Sequence, residues 1–137
     1  MIWQDIALEG QCDQGTLKSA LAAAFDVASD DVCVVDSIEK AASTSIVAVM
    51  TSIKGDFRCL LSLYVAEVLA DKDPVEVIGR ICSILKVKAL ISDESANPYS
   101  MILINEEAES RPVKLDVESL DQHEEYRLSA GLSDRQP

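Results

Sequence analysis

The sequence predicts an α+β fold, a largely antiparallel twisted sheet of about six or seven strands with two helices packed on one face. Three observations lead there. Residues 13–25 and 73–85 repeat apolar side chains at helical spacing, each behind an aspartate fit to cap the first turn. Most other apolar residues fall in short runs bounded by Gly, Pro, Asp or Ser, the form that strands take. Each helical segment has a single apolar stripe to hide, which a sheet face covers.

The chain opens on an extended stretch, 2–8, with Ile2, Ile6 and Leu8 on one side and a stop at Gly10. Asp13 then caps a helix whose inner face is Leu17, Ala20, Leu21, Ala24 and Phe25. Strands are expected at 32–36 (VCVVD), 45–53 (SIVAVMTSI) and 57–65 (FRCLLSLYV). In the last, Phe57, Cys59, Leu61, Leu63 and Val65 face one way, and Arg58, Leu60, Ser62 and Tyr64 the other. Lys54, Gly55 and Asp56 form a hairpin turn before it.

Residues 71–80, DKDPVEVIGR, crowd Asp71, Asp73 and Glu76 around Pro74. A helix start accounts for them. Asp73 is the N-cap, Pro74 the first helical residue, and Glu76, three beyond the cap, completes a capping box. Val77, Ile78, Ile81, Ile84 and Leu85 continue as the buried face. Further strands are expected at 87–92, 99–104 and 112–117, the last with Val113, Leu115 and Val117 inward and Lys114, Asp116 and Glu118 outward. A length of 137 residues fits one core, so 1–128 is expected to be a single α+β domain, with 129–137 a flexible C-terminal tail.

A weak internal repeat underlies this order. Leu17, Leu21, Ala24, Phe25 and Val27 align with Val77, Ile81, Ile84, Leu85 and Val87 at an offset of sixty residues. Val32, Val34 and Asp36 then match Ala89, Ile91 and Asp93. Each half continues with a hairpin, so the chain reads as one strand followed by two units of a helix plus three strands.

Composition excludes several activities. Twenty-four acids against twelve bases give a net charge of −12, which repels a phosphate backbone, so no nucleic-acid partner is expected. Aromatic residues are 4% of the chain, too few for base-stacking platforms. No apolar run approaches the roughly 20 residues that cross a bilayer, and MIWQDIALEG lacks the basic start of a secretory signal. A cytoplasmic protein without a membrane partner is therefore expected.

The four cysteines (Cys12, Cys33, Cys59, Cys82) form no C-x-x-C pair, and Cys33 and Cys59, inside apolar runs, are expected as buried reduced thiols. The five glycines are isolated, so no phosphate-cradling loop can be written, and no cofactor is expected. The sole imidazole, His123, lies among carboxylates in LDQHEEYRL, far in sequence from every cysteine. Asp36 and Asp93 occupy matching strand ends of the repeat and would be a catalytic or metal pair only if the fold brought them together. With no second ligand type beside them, turn capping explains both, and neither a catalytic nor a metal site is expected.

Two features remain for binding. Arg58, Leu60 and Tyr64 mark a mixed sheet face, neither wet nor dry. Glu106, Glu107, Glu109, Asp116, Glu118, Asp121, Glu124 and Glu125 face only Arg111 and Lys114 between 106 and 125, an acidic surface suited to a basic partner. In size, acidity and element order over Thr16 to Val117, with DPVEVIGRICSILK following FRCLLSLYV, the chain resembles the small bacterial type III secretion chaperones. That resemblance implies an α+β homodimer that wraps an extended segment of its client. The chain departs from it by opening on a strand and lacking a clear third helix. The expectation is a non-enzymatic protein-binding module, chaperone-like or immunity-type. The alternative is a small-ligand or metal-binding domain, with weak hydrolysis at most, using Asp36, Asp93 and His123.

Overall fold

In the computed structural model, which describes residues 3–10, 13–93 and 99–115, the elements run β1 (Gln4–Leu8), α1 (Gln14–Phe25), β2 (Val32–Val35), β3 (Ile46–Ser52), β4 (Cys59–Val65), α2 (Pro74–Leu85), β5 (Ala89–Ser92), β6 (Ser100–Ile104) and β7 (Ser110–Lys114). The seven strands form one sheet in the order β2-β3-β4-β1-β5-β6-β7. Every neighbouring pair is antiparallel except β2 beside β3.

Matched end signals make the two helices. The Asp13 carboxylate accepts from the Thr16 N–H at 2.6 Å, and the Asp73 carboxylate from the Val75 N–H at 3.2 Å, with Pro74 opening the second helix. Each ends twelve residues on, at Asp26 and Lys86, which take left-handed φ values of 61° and 59° and return an N–H to the preceding turn. Caps and terminators thus recur at the sixty-residue offset of the sequence alignment. Glu76 does not close a capping box: Arg80, one turn further on, draws its carboxylate into a 2.9 Å ion pair.

Both helices pack on one face of the sheet. Leu17, Leu21 and Phe25 of α1 and Ile78 and Ile81 of α2 meet Ile6, Leu8, Ile46, Ala48, Leu61, Leu63, Ile91 and Ile104 in one buried cluster. Full burial of each large aliphatic side chain contributes roughly 1.5–3 kcal/mol. Trp3 closes one end of this core, its ring edge-on to Phe25 at 5.3 Å and its indole N–H donating to the Ala70 carbonyl. Ile84 departs from the expected inner face and is 47% exposed, whereas Cys82 of the same turn is in the core and Leu85 leans on it.

The opposite face carries a second cluster: Ala7, Leu90, Leu103, Val113 and Leu115, with Phe57 among them. Phe57 was expected on the Cys59 side. It stands before β4, in the six-residue connection whose ends are tied by the Ile53 N–H to Arg58 carbonyl bond, and there strand alternation no longer dictates its direction. Gly55, at φ 111°, permits that turn, because a β-carbon would clash in this region.

The two helix-plus-three-strand units flank β1 in the same order, and the β3–β4 and β6–β7 hairpins occupy equivalent places. They differ in their first strand. β5 runs antiparallel to β6, whereas β2 runs parallel to β3, because residues 36–45 carry the chain back to the end of the sheet where β2 began. The expected strand at 112–117 is β7, shifted to Ser110–Lys114, with Val113 and Leu115 buried and Lys114 exposed. Expectations for Ile2, Cys12, Asp116, Val117, Glu118, Asp121, His123, Glu124, Glu125 and the tail fall outside the described residues.

Candidate partner-binding surface

The face of β2, β3 and β4 turned away from the helices is built by register. Cys33, Val47 and Tyr64 form one cross-strand row, Val35, Val49 and Ser62 the next, and Thr51 and Leu60 a third. Alternation forces these side chains outward, because Ile46, Ala48, Leu61 and Leu63 are committed to the helix side. Val35, Val49, Leu60 and Tyr64 are half-buried, so the strip is apolar and partly open. Leu60 and Tyr64, four residues apart on one strand, sit about 13 Å from each other. Arg58 stands exposed beyond the start of β4.

Beside this strip, Ala7, Leu60, Leu90 and Met101 line a cavity of about 360 Å³ with Trp3, Gln4, Asp5 and Ser92. Its carboxylate is already engaged: the Ser62 hydroxyl donates to Asp5 at 2.7 Å.

The acidic residues of the β6–β7 turn form a separate feature. The Asn105 side-chain oxygen accepts from the N–H groups of Glu107 and Glu109, and Ala108 takes a left-handed φ of 65° to close the loop. This loop rests on α2. The Ser83 hydroxyl donates to the Glu106 carbonyl at 3.0 Å, and a β-carbon added to Gly79 would lie 3.0 Å from that of Ala108. Glu106 is half-buried and within 3.5 Å of the Lys88 ammonium, while Glu107 and Glu109 are exposed. Arg58 and these acids share one end of the sheet, but β4 and β6 are three strand positions apart, roughly 14 Å.

The fold does not bring Asp36 and Asp93 together. β2 and β5 stand four positions apart, about 19 Å, and run in opposite directions, so their C-terminal ends lie at opposite ends of the sheet. Asp36 pairs with Lys40 at 2.9 Å, and that ammonium holds its carboxyl below the usual range. Asp93 accepts from the Ser100 hydroxyl. Among the described residues, no group of three or more His, Cys, Asp or Glu side chains is placed to hold a metal ion.

Cys59 and Cys82 are buried, but Cys33, expected inside, is only half-buried because β2 is a border strand. Burial, reinforced by the Glu106 charge, pushes the Cys82 thiol up to about 12, so it stays protonated and unreactive. No helix among the described residues is long and apolar enough to cross a membrane.

Leu60 and Tyr64 were marked in the sequence by the polar residues alternating around them. Val47 and Val49 were not, because SIVAVMTSI is apolar on both sides and period two leaves no trace in such a run. Comparison of the chain with protein-family models, with curated proteins and with solved structures gave no match in any of the three.

Proposed function

We propose that this chain is a non-enzymatic protein-binding module, chaperone-like or immunity-type in its action, that engages a protein partner through the helix-free face of β2, β3 and β4. One observation carries this reading: Val35, Val49, Leu60 and Tyr64 form a half-open apolar strip on a face that neither helix covers, with the charged Arg58 at its rim. Aromatic and aliphatic anchors inside a charged rim are what protein interfaces use. The net charge of −12 supports a basic partner, drawn in by complementary potential.

A photo-crosslinking residue placed at Leu60 or at Tyr64 should capture a discrete protein in the cell, while one at Ala23, exposed on α1, should not. Binding of the captured protein, once purified, should weaken steeply with added salt, because attraction between surface charges is screened over roughly 8 Å at physiological ionic strength. Equal crosslinking at all three positions would end the proposal. Salt-independent binding would remove charge steering from it.

A further inference from the structure

Among the described residues the sheet is bordered by β2 and β7, and the two are finished differently. A border strand turns the N–H and C=O of every second residue outward, ready to pair with any strand that arrives. On β7 that row is interrupted by Pro112, which has no N–H, and flanked by exposed Arg111 and Lys114. On β2 the residues are Val32, Cys33, Val34 and Val35, with neither proline nor charge. The Val32 N–H is bound to the Ser29 carbonyl. Beyond it, among the described residues, no backbone group of Cys33, Val34 or Val35 hydrogen-bonds outside the ladder with β3.

This open border lies in a groove. Gln14, Gly15 and Lys18 of α1 form one wall, Ala42 and Thr44 the other, and Val32, Cys33 and Val34 the floor of a space of about 350 Å³. The second wall is held in place by the Ala42 N–H, which donates to the Cys33 sulfur at 3.4 Å. Acids stand at both ends of the strand, Asp30 and Asp31 before it and Asp36 and Glu39 after it, and they outnumber the bases beside the groove, Lys18 and the Lys40 that pairs with Asp36. A second copy fits badly. Antiparallel self-pairing centred on Cys33 sets Asp30 of each chain opposite Asp36 of the other, pairing centred on Val34 sets the same two acids diagonally across, and like charges facing across strands are destabilising.

We propose that the outer edge of β2, in the groove against α1, binds an extended basic segment of another protein by strand addition. The segment's backbone pairs with the outward N–H and C=O of Val34 and with the outward groups on either side of it, the Val32 carbonyl and the Asp36 N–H, and its lysine or arginine side chains meet Asp30 and Asp36. The proposal rests on the protein-binding reading above and names where the partner's backbone docks. An added strand would also continue the Cys33–Val47 and Val35–Val49 rows of the apolar strip.

The test uses a fluorescein-labelled octapeptide of alternating valine and polar residues rich in lysine, added to the full chain, with anisotropy and amide hydrogen exchange as readouts. It should bind and slow exchange at the outward amides of Val34 and Asp36. N-methylation of alternate peptide residues should weaken binding about tenfold in one phase and spare it in the other, since only one edge of the added strand bonds to β2. Replacing lysine by glutamate should cost about tenfold as well. Gly15→Trp, which fills the groove while exchanging glycine for a better helix former, should abolish binding with the fold intact.

Equal binding by both methylated peptides, or protection confined to the Glu106–Glu109 turn, would overturn strand addition. So would a dimer of this chain whose mutual protection maps to β2. If the peptide fails while crosslinking at Leu60 and Tyr64 still captures a partner, only the edge assignment falls.

Discussion

The two units on either side of β1 repeat one order of elements, yet the second buries more of its helix-free face than the first. In the second unit, α2 covers one face of the sheet, Leu90, Leu103, Val113 and Leu115 are buried on the other, and Pro112 interrupts the border. In the first unit, α1 covers the same face, but Val35, Val49, Leu60 and Tyr64 stay half-open around the buried Val47 opposite it, and β2 carries neither proline nor charge. Stability needs a packed core; it does not need exposed apolar strands, which are an association hazard unless something uses them. The contrast teaches that both units build the core beneath the helices, and that they differ in how far their helix-free faces are buried.

The sharpest way to break this contrast is to remove one side chain from the helix-free face of each unit. Leu103, 3% exposed, belongs to the buried cluster, so Leu103→Ala should lower unfolding free energy by about 2–5 kcal/mol. Tyr64→Ala, at a half-open position, should cost about 1 kcal/mol and instead weaken partner capture. Chemical denaturation of both variants decides it. Comparable losses would mean that the first unit's strip is core rather than interface.

The glycines offer a smaller comparison. The β6–β7 turn approaches α2 so closely that a β-carbon at Gly79 meets Ala108 at 3.0 Å, whereas one at Gly15 meets only the Asp13 carboxylate at 3.6 Å. Gly79→Val should therefore destabilise by about 1–3 kcal/mol, because it wedges the turn from the helix. Gly15→Ala should stabilise by up to about 1 kcal/mol, the helix-propensity gain without a clash. The same denaturation assay checks both. If Gly79→Val proves neutral, the turn is not held against α2, and the contacts placing Glu106, Glu107 and Glu109 lose their role.

Both helices were legible because independent local signals coincided: at 73–85 an aspartate cap, a proline and an apolar period all agreed, and at 13–25 a cap and a period did. The strands were legible as runs, and Cys59 to Val65 declared its two faces. Sheet order was not. That β1 lies between β4 and β5 depends on pairings between residues some sixty to eighty positions apart, such as Gln4 with Leu63 and Ala7 with Leu90, which no local pattern encodes. The parallel β2–β3 pair was hidden for a similar reason, since residues 36–45 look like any polar connection and only its path decides strand direction. Phe57 was misplaced where a period was carried past the start of β4, and Ile84 where it was carried into the last turn of α2, part of which the core does not cover. Of the surface, Leu60 and Tyr64 could be read from alternation, but the open border of β2 is a property of sheet order and left no mark on the sequence.

Acid should separate the two units, although by the smallest effect of all. The carboxyls of Asp13, Asp31 and Asp36 are held below their ordinary value of 3.8, by the Thr16 N–H, by Ser45 and by Lys40 respectively. All three lie in the first unit. Their folded pKa values are lower than those of the unfolded chain, so the unfolded state binds more protons in acid and stability rises with pH there. The contribution is complete above the ordinary value and drains away as pH falls through the folded ones. Asp13 and Asp36 are exposed and Asp31 is half-buried, so each effect is small and the Lys40 part is screened by salt. Hydrogen exchange below about pH 4 should then show protection lost from α1 and β2 before α2 and β5. The triple variant Asp13→Asn, Asp31→Asn, Asp36→Asn keeps acceptors at each position but removes the titration, and should bring the two units back into step. Simultaneous loss of protection in the unmodified chain would show that the halves open as one, and that the difference between them lies in their surfaces alone.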